Sequence, residues 1–355
     1  MLNYIIRRLL LVPVLLFGVT ILIFAMLSVL SPVERASLYV RDVPKNERQL
    51  EGIIRKYKLD RPIYEQYWLW LVGQKDAETG EYIGGIIRGN LGYSQTASQP
   101  IVDMIKLRFP ATVELALWAV LPILGVGVWL GVVSALNHNR PIDQIGRVFS
   151  ILGWSFPTFV FGLLVLMIFY AKLRWFPPGR LSDWANQVII SGDGFTSYTH
   201  LVTVDALLNG RFDIFLDALR HLFLPIVTLS YLSWALMLRV TRSSMLDVLR
   251  QEYITTARSK GLSRRAVIWQ HAVPNGLIPV ITIGGGTVVG LLNGVVITET
   301  IFNYPGIGSA TAEAALHLDV VTVLAMSLFT GFILIVANLI VDILYGVVDP
   351  RVRLS

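Results

Sequence analysis

The chain contains no cysteine. Disulfides, thiol nucleophiles and cysteine-ligated metals are therefore excluded, and its long loops must be held by non-covalent contacts. Charge is also scarce, with Asp, Glu, Lys and Arg supplying 15% of 355 residues, against roughly a quarter in soluble domains. No G-x-x-x-x-G-K-[ST] loop is present to cradle ATP phosphates. The five histidines, His138, His200, His221, His271 and His317, lack metal-ligand spacing, and H-E-x-x-H does not occur. No cofactor, metal site or catalytic residue is expected, and the chain does not read as an enzyme.

What is abundant is apolar sequence. Hydrophobic residues make up 54% of the chain, and several runs of twenty or more carry no charge. That composition reads as an all-α polytopic membrane protein. Six spans are predicted, at about 9–30, 111–136, 148–170, 222–238, 277–297 and 320–348. The first is too long for a signal-peptide core and lacks a small-residue cleavage site, so it is expected to be retained. Residues 31–111 hold twelve Lys and Arg against ten Asp and Glu, too charged for lipid and too balanced for disorder. Within that region Leu50, Ile53, Ile54 and Tyr57 share one helical face, and Asp60-Arg61-Pro62 ends the helix. The aromatic run Tyr64 to Leu71 is too short to span and fits the headgroup level. A second polar region, 171–221, carries turn signals such as Ser191-Gly192-Asp193-Gly194.

The net charge of +6 reflects membrane topology better than nucleic-acid binding, because the cations flank apolar runs. Arg7, Arg8, Arg140, Arg147, seven cations in 239–265, Arg351 and Arg353 fall on one side, whereas 298–319 has none. The positive-inside rule then puts both termini and the loop 239–276 in the cytosol.

That loop is the most informative stretch. Between 245 and 260, Met245, Leu249, Tyr253 and Ala257 recur every four residues, the pattern of an amphipathic helix. Gly261 stands where a helix commonly ends in the left-handed conformation, before a second segment starts at Arg264. Periodicity leaves two uses open, an interfacial anchor or a docking surface. In the fifth span Gly286, Gly290 and Gly294 lie four apart, favouring close helix packing. Thr287, Asn293 and Thr298 beside them are candidates to line a pore. Glu114, Asn338 and Asp342 also lie in or near spans, and Asp342 is expected to pair with Arg351 or Arg353.

The loop resembles that of permease subunits of binding-protein-dependent ABC importers, which reads Glu-Ala-Ala, three residues, Gly, nine residues, Ile-x-Leu-Pro. Here Thr255-Thr256-Ala257, Gly261 and His271-Ala272-Val273-Pro274 stand at those places. The absent Glu and Ile match a subgroup: Tyr253-Ile254-x-Thr256-Ala257-Arg258-Ser259-Lys260-Gly261-Leu262, with His271-Ala272 and Asn275, is similar to the dipeptide/oligopeptide/nickel permease family. Nearly the whole chain shares the resemblance, through Arg7-Arg8-Leu9, Gly89-Asn90-Leu91-Gly92, Pro110 with Thr112, Ser155 with Pro157, Arg239-x-x-Arg242, Phe302-x-x-Pro305-Gly306-x-Gly308 and Asp349-Pro350-Arg351. Residues 74–88 and 183–215 fit less well and resemble insertions.

The resemblance implies a type I ABC importer permease of the prokaryotic inner membrane. Residues 1–30 would be the tail and a peripheral first helix, 31–110 an extended extracytoplasmic loop, and 111–355 a five-helix core. It further implies a second homologous permease, two cytoplasmic ABC ATPases and an extracytoplasmic substrate-binding protein as partners, besides membrane lipid, with no nucleic acid. Thr255, Thr256, Ala257, Arg258, Lys260, Gly261, His271 and Pro274 would couple the ATPases to the spans. Peptides are the implied cargo, with nickel complexes or oligosaccharides as alternatives. An ion-coupled secondary transporter would need a repeat or paired intramembrane acids, and neither is evident. An intramembrane hydrolase would need Ser155 and His221 brought together.

Overall fold

The structure is a computed structural model and describes residues 2–31, 34–35, 47–75 and 82–348. It is helical, apart from two short antiparallel hairpins. Helix α1 (Leu2–Ser28) is followed by α2 (Glu47–Lys56) and α3 (Ile63–Val72). Strands β1 (Gln74–Lys75) and β2 (Tyr82–Ile83) pair Gln74 with Ile83, and β3 (Tyr93–Ser94) and β4 (Gln99–Pro100) pair Tyr93 with Pro100. Then come α4 (Ile101–Leu136), α5 (Pro141–Ser155), α6 (Thr158–Leu166, continued by a π turn Met167–Lys172), α7 (Asp183–Ser191), α8 (Val202–Leu208) and α9 (Phe212–Leu249). The chain closes with α10 (Glu252–Ser259), α11 (Arg264–Gly276), α12 (Ile278–Leu292), α13 (Val296–Ile301), α14 (Ile307–Leu316) and α15 (Val320–Val348).

Four helices are long and apolar enough to cross a membrane, and α5 with α6 and α11 with α12 bring the number to six if each bent pair is one span. The chain is a multi-pass membrane protein. Four predicted spans change shape, the fifth by ending at Leu292 rather than near 297. The second begins ten residues earlier, at Ile101, because the helix runs through Pro110, and the fourth lengthens to 38 residues at both ends. Polar and charged residues at those ends exclude them from lipid but not from a helix. The third is broken at Phe156 and Pro157, since proline cannot supply the backbone donor a continuous helix needs.

The core centres on α4 against α9. Gly127 lies on Met237 and Gly131 on Thr241, so the two backbones approach more closely than a β-carbon would permit. Helix α1 sits at the periphery on α15 and α3. Most of its apolar side chains face outward, as a lipid-facing helix requires. The aromatic run before Val72 is helical, and Tyr67 and Trp70 pack on Phe24 of α1 at 5.3 and 5.4 Å between ring centroids. On α2 Leu50, Ile53 and Ile54 are half-buried as predicted, with Tyr57 half-buried just beyond, but the helix ends at Lys56 rather than at Asp60-Arg61-Pro62. Residues 76–81 of the first insertion, and the pairing of Asp342 with Arg351 or Arg353, lie outside the described residues.

The polar stretch 171–211 packs Leu181, Ala185, Phe195, Val202 and Ala206 against Ile214 and Ala218 of α9. Gly192 and Gly194 make its turns with φ of 72° and 67°. It joins the loop around α13 and α14, where the Gly179 amide donates to the Phe302 carbonyl at 2.7 Å. That loop in turn meets the β3–β4 hairpin, because Asp319 accepts from Ser94 Oγ and the Thr96 amide, both at 3.1 Å. Hence 82–100, 171–211 and 293–319 gather at one end of the bundle. The Arg-rich loop 239–276 lies at the other.

Candidate functional site

At the basic end, α9 stops where Gln251 turns extended (φ −70°, ψ 149°) and α10 starts afresh. The single amphipathic helix predicted over 245–260 is therefore two helices. The break resets the helical phase, so the inward residues of α10 are Ile254 and Ala257, while Tyr253, expected on the apolar stripe, is 42% exposed. Ile254 and Ala257 join Val132 and Ala135 of α4, Met245 of α9 and Val267, Ile268 and Ala272 of α11 in one apolar cluster. Burying Ile254 fully is worth about 1.5–3 kcal/mol, enough to seat so short a helix firmly on the bundle.

The outward face carries Glu252, Thr255, Thr256, Arg258, Ser259 and Lys260, all exposed. Thr256 and Ser259 donate their hydroxyls to the Glu252 and Thr255 carbonyls, each at 3.0 Å, so these side chains fold onto their own helix. Helix α10 ends as expected at Gly261, with φ of 77°. The Leu262 amide reaches back to the Ala257 carbonyl and the Gly261 amide to that of Arg258. These are the paired bonds of a Schellman motif. Ser263 then caps α11, its hydroxyl accepting from the Ala266 amide at 3.3 Å. His271 is half-buried in a π turn and Pro274 is exposed. Of the eight coupling candidates, Ala257 alone points inward. It anchors the surface rather than forming part of it.

Beneath this surface lies a charge cluster that sequence reasoning missed. Asp143 is fully buried and accepts from Arg242 Nε at 2.6 Å, Arg147 Nη2 at 2.9 Å, Ser134 Oγ at 2.6 Å and the Asn139 amide at 2.9 Å. It ties α4, α5 and α9 together. The available signal was a lone carboxylate in the basic stretch His138 to Arg147.

At the opposite end lie two buried carboxylates, each held by its own set of partners. Glu114 pairs with Arg180 at 2.7 Å and accepts from the Thr203 amide at 2.6 Å and Tyr304 Oη at 3.3 Å. Glu299 accepts from Thr112 Oγ1 at 2.9 Å and the Ser309 amide at 2.8 Å, beneath Gly306 and Gly308. Burial pushes the Glu299 carboxyl up, against those hydrogen bonds. Glu299 read as an external loop residue because a single local carboxylate gives no hint of burial. Both acids are fully partnered and bind loops to helices, the usual structural use of buried polar groups. Asp319 shows the opposite balance. Burial alone would raise it, yet bonds from Thr322 (2.7 and 3.1 Å), Thr96 and Ser94 hold its carboxyl below the ordinary 3.8.

The predicted pore residues separate. Thr287 is half-buried and donates to the Ile283 carbonyl at 3.0 Å, Asn293 is half-buried with a buried Oδ1 that has no partner, and Thr298 is 2% exposed. Of the three glycines expected to pack closely, Gly294 does and Gly286 and Gly290 do not. Gly284 and Gly285 abut Leu124 and Val341, and Gly294 abuts Gly308, while Gly286 and Gly290 face open space. Ser155 donates to the Ile151 carbonyl at 2.9 Å, and His221 Nδ1 lies 2.9 Å from the Asp217 carbonyl. Each has a local partner, and no shared site forms between them among the described residues.

Residues 127–354 match the family described as binding-protein-dependent transport system inner membrane component, and residues 1–116 match the N-terminal part of a binding-protein-dependent transport system membrane component. The chain is 37% identical over 361 residues to the di/tripeptide transport system permease protein DppB of Pseudomonas aeruginosa, covering 99% of both. It is 34% identical to the dipeptide transport system permease protein DppB of Escherichia coli over 354 residues and to the oligopeptide transport system permease protein AppB of Bacillus subtilis over 351, again with 99% of each covered.

Proposed function

The chain belongs to the binding-protein-dependent transport system inner membrane components, and from that premise we propose that it is one half of the translocation pathway of an ABC importer for di- or oligopeptides. The full-length similarity to three peptide permeases carries this reading. A second homologous permease completes the pathway, two cytosolic ATPases supply the energy, and an extracytoplasmic binding protein delivers cargo. The termini and the loop 239–276 face the cytosol, in accord with the positive-inside rule.

Coupling runs through α10. Thr255, Thr256, Arg258 and Lys260 present a polar face to the ATPase, while Ile254 and Ala257 fasten that helix to α4, α9 and α11. A push on the outer face is passed to three spans at once, because a close-packed cluster moves as a body. Gly261 sets the turn, and His271 and Pro274 carry the motion into α12. Thr287 and Asn293 line the pathway.

The test is ATP-driven uptake of radiolabelled dipeptide into proteoliposomes holding the complete transporter. Uptake that needs the ATPases and stops with vanadate is expected. Uptake by this chain alone, insensitive to vanadate, would overturn the reading.

A further inference from the structure

Between α4, α12 and α15 lies a cavity of about 460 Å³, within the size range of sites that hold small molecules. Its lining runs along α12 from Leu277 to Leu292 and along α15 from Ile333 to Val341, with α4 behind. These helices are long and apolar enough to cross a membrane, counting the bent pair α11 and α12 as one span. Every described residue that lines the cavity is apolar or glycine. Helices α12 and α15 touch at Gly285, where a β-carbon would lie 2.5 Å from Val341, and the cavity opens beside that contact. Ile281 and Ile340, 39% and 52% exposed, mark its outer edge, so it is a groove with an open mouth.

Three kinds of occupant can reach a groove at this depth. Peptide cargo carries backbone N–H and C=O groups that an apolar lining leaves unsatisfied, which excludes it. A helix of the second permease is about 10–12 Å across, whereas this volume is drawn out over roughly 22 Å of α12 at 1.5 Å per residue, a long and thin shape. That permease also belongs on the other side of α12. Gly286, Gly290 and Asn293, on the face assigned to the pathway, lie half a turn round the helix from Gly284 and Val288 of the groove. A hydrocarbon chain has no polar group to satisfy and is the medium around the spans. Left empty, the groove would forfeit the dispersion contacts its lining can make, and water does not fill an apolar void.

We propose that the groove between α12 and α15 is a lipid site that holds one acyl chain of a membrane phospholipid. The bilayer is as apolar as the groove, so entry is driven by filling the void rather than by leaving water. Val128 and Leu277 line the groove and also pack on the cytosolic cluster around Ile254 and Ala257. The chain therefore braces α12 against α15 beside the residues that seat the coupling helix. The choice of lipid over the second permease rests on the pathway role proposed for Asn293.

The test titrates phosphatidylethanolamine bearing a diazirine in one acyl chain into detergent micelles that hold the complete transporter. Labelling of peptides from 277–292 and 333–341 is expected to saturate, while labelling of the lipid-facing side of α1 rises in proportion to the lipid. Val288→Phe and, separately, Ala337→Leu fill the groove and should abolish the saturable part without changing that of α1. Permease abundance and gel-filtration profile are measured alongside. Groove labelling that only rises in proportion, or that the folded variants keep in full, would overturn the proposal. A photo-crosslinking residue in place of Ile340 decides the matter even if both variants misfold, and it should join phospholipid. A crosslink from that position to the second permease would overturn the lipid site and the pathway assignment together, since the two faces of α12 would then be exchanged. A crosslinking residue in place of Gly290 separates the two ideas. If it reaches lipid rather than the second permease or peptide while the groove still labels saturably, the pathway assignment falls and the lipid site stands.

Discussion

Arg242 grips Asp143 with two nitrogens, Nε at 2.6 Å from Oδ1 and Nη2 at 2.9 Å from Oδ2, and so clamps α9 to the start of α5. The aspartate is wholly buried and the arginine side chain is 17% exposed. Removing Arg242 leaves Asp143 with Arg147, Ser134 and the Asn139 amide, whereas removing Asp143 takes the carboxylate from both arginines. Each change costs about 1.5–3 kcal/mol, the worth of a hydrogen bond to a charged group. Arg242→Ala and Asp143→Ala are each expected to lower the melting temperature of the purified protein in detergent. The double variant should lose less than the sum, because the two residues share one interaction that each single change already removes.

Gly261 separates two kinds of damage. Its φ of 77° suits glycine, and a β-carbon there would meet nothing within 4 Å. Gly261→Ala should therefore cost only about 1 kcal/mol, as backbone strain. Proline cannot adopt a positive φ and has no amide to donate to Arg258. Gly261→Pro is expected to reach the membrane in normal amount yet hydrolyse ATP without peptide uptake, measured in the reconstituted transporter. Coupled uptake at the wild-type ratio would count against the lever.

The glycines around Glu299 should be intolerant. A β-carbon on Gly308 would lie 2.8 Å from the backbone of Val296, and one on Gly306 would collide with the Glu299 carboxyl group. Gly306→Ala and Gly308→Ala are expected to destabilise by about 2 kcal/mol or more, as overpacking does. Gly286→Ala and Gly290→Ala, which meet open space, should leave thermal stability within about 0.5 kcal/mol. Equal losses at all four positions would contradict the packing described.

Asp319 should make the β3–β4 hairpin acid-sensitive. Its folded pKa lies below the ordinary 3.8, so the stability it contributes is fully present above that value. It is lost as pH falls through the lower, folded value. Protease protection of the Ser94–Thr96 segment should therefore decline in strong acid, and Asp319→Ala should show the loss already at neutral pH. The expected size is about 1–3 kcal/mol, combining a helix cap with two long-range hydrogen bonds. Unchanged protection in Asp319→Ala would remove the hairpin anchor.

The membrane character, the four to six candidate spans, the cysteine-free architecture and the helix stop at Gly261 were legible in the sequence. Each depends on the composition or periodicity of neighbouring residues, or on one residue's backbone preference. The motif in 251–275 likewise identified the family without any tertiary information. Tertiary structure alone decided the rest. Ile254 rather than Tyr253 faces inward because a break at Gln251 shifts the phase, and such a break depends on how α10 fits against α4 and α11. Asp143 finds Arg242, Glu114 finds Arg180, and Asp319 finds Ser94 across 99, 66 and 225 positions of chain. A lone carboxylate reads locally as solvated surface, and only the approach of distant helices supplies the cation or amide that lets it be buried. Gly284 and Gly285 were chosen over Gly286 and Gly290 for the same reason. Spacing marks every face of a helix alike, and the neighbour that comes to lie against one of them decides which glycine is needed.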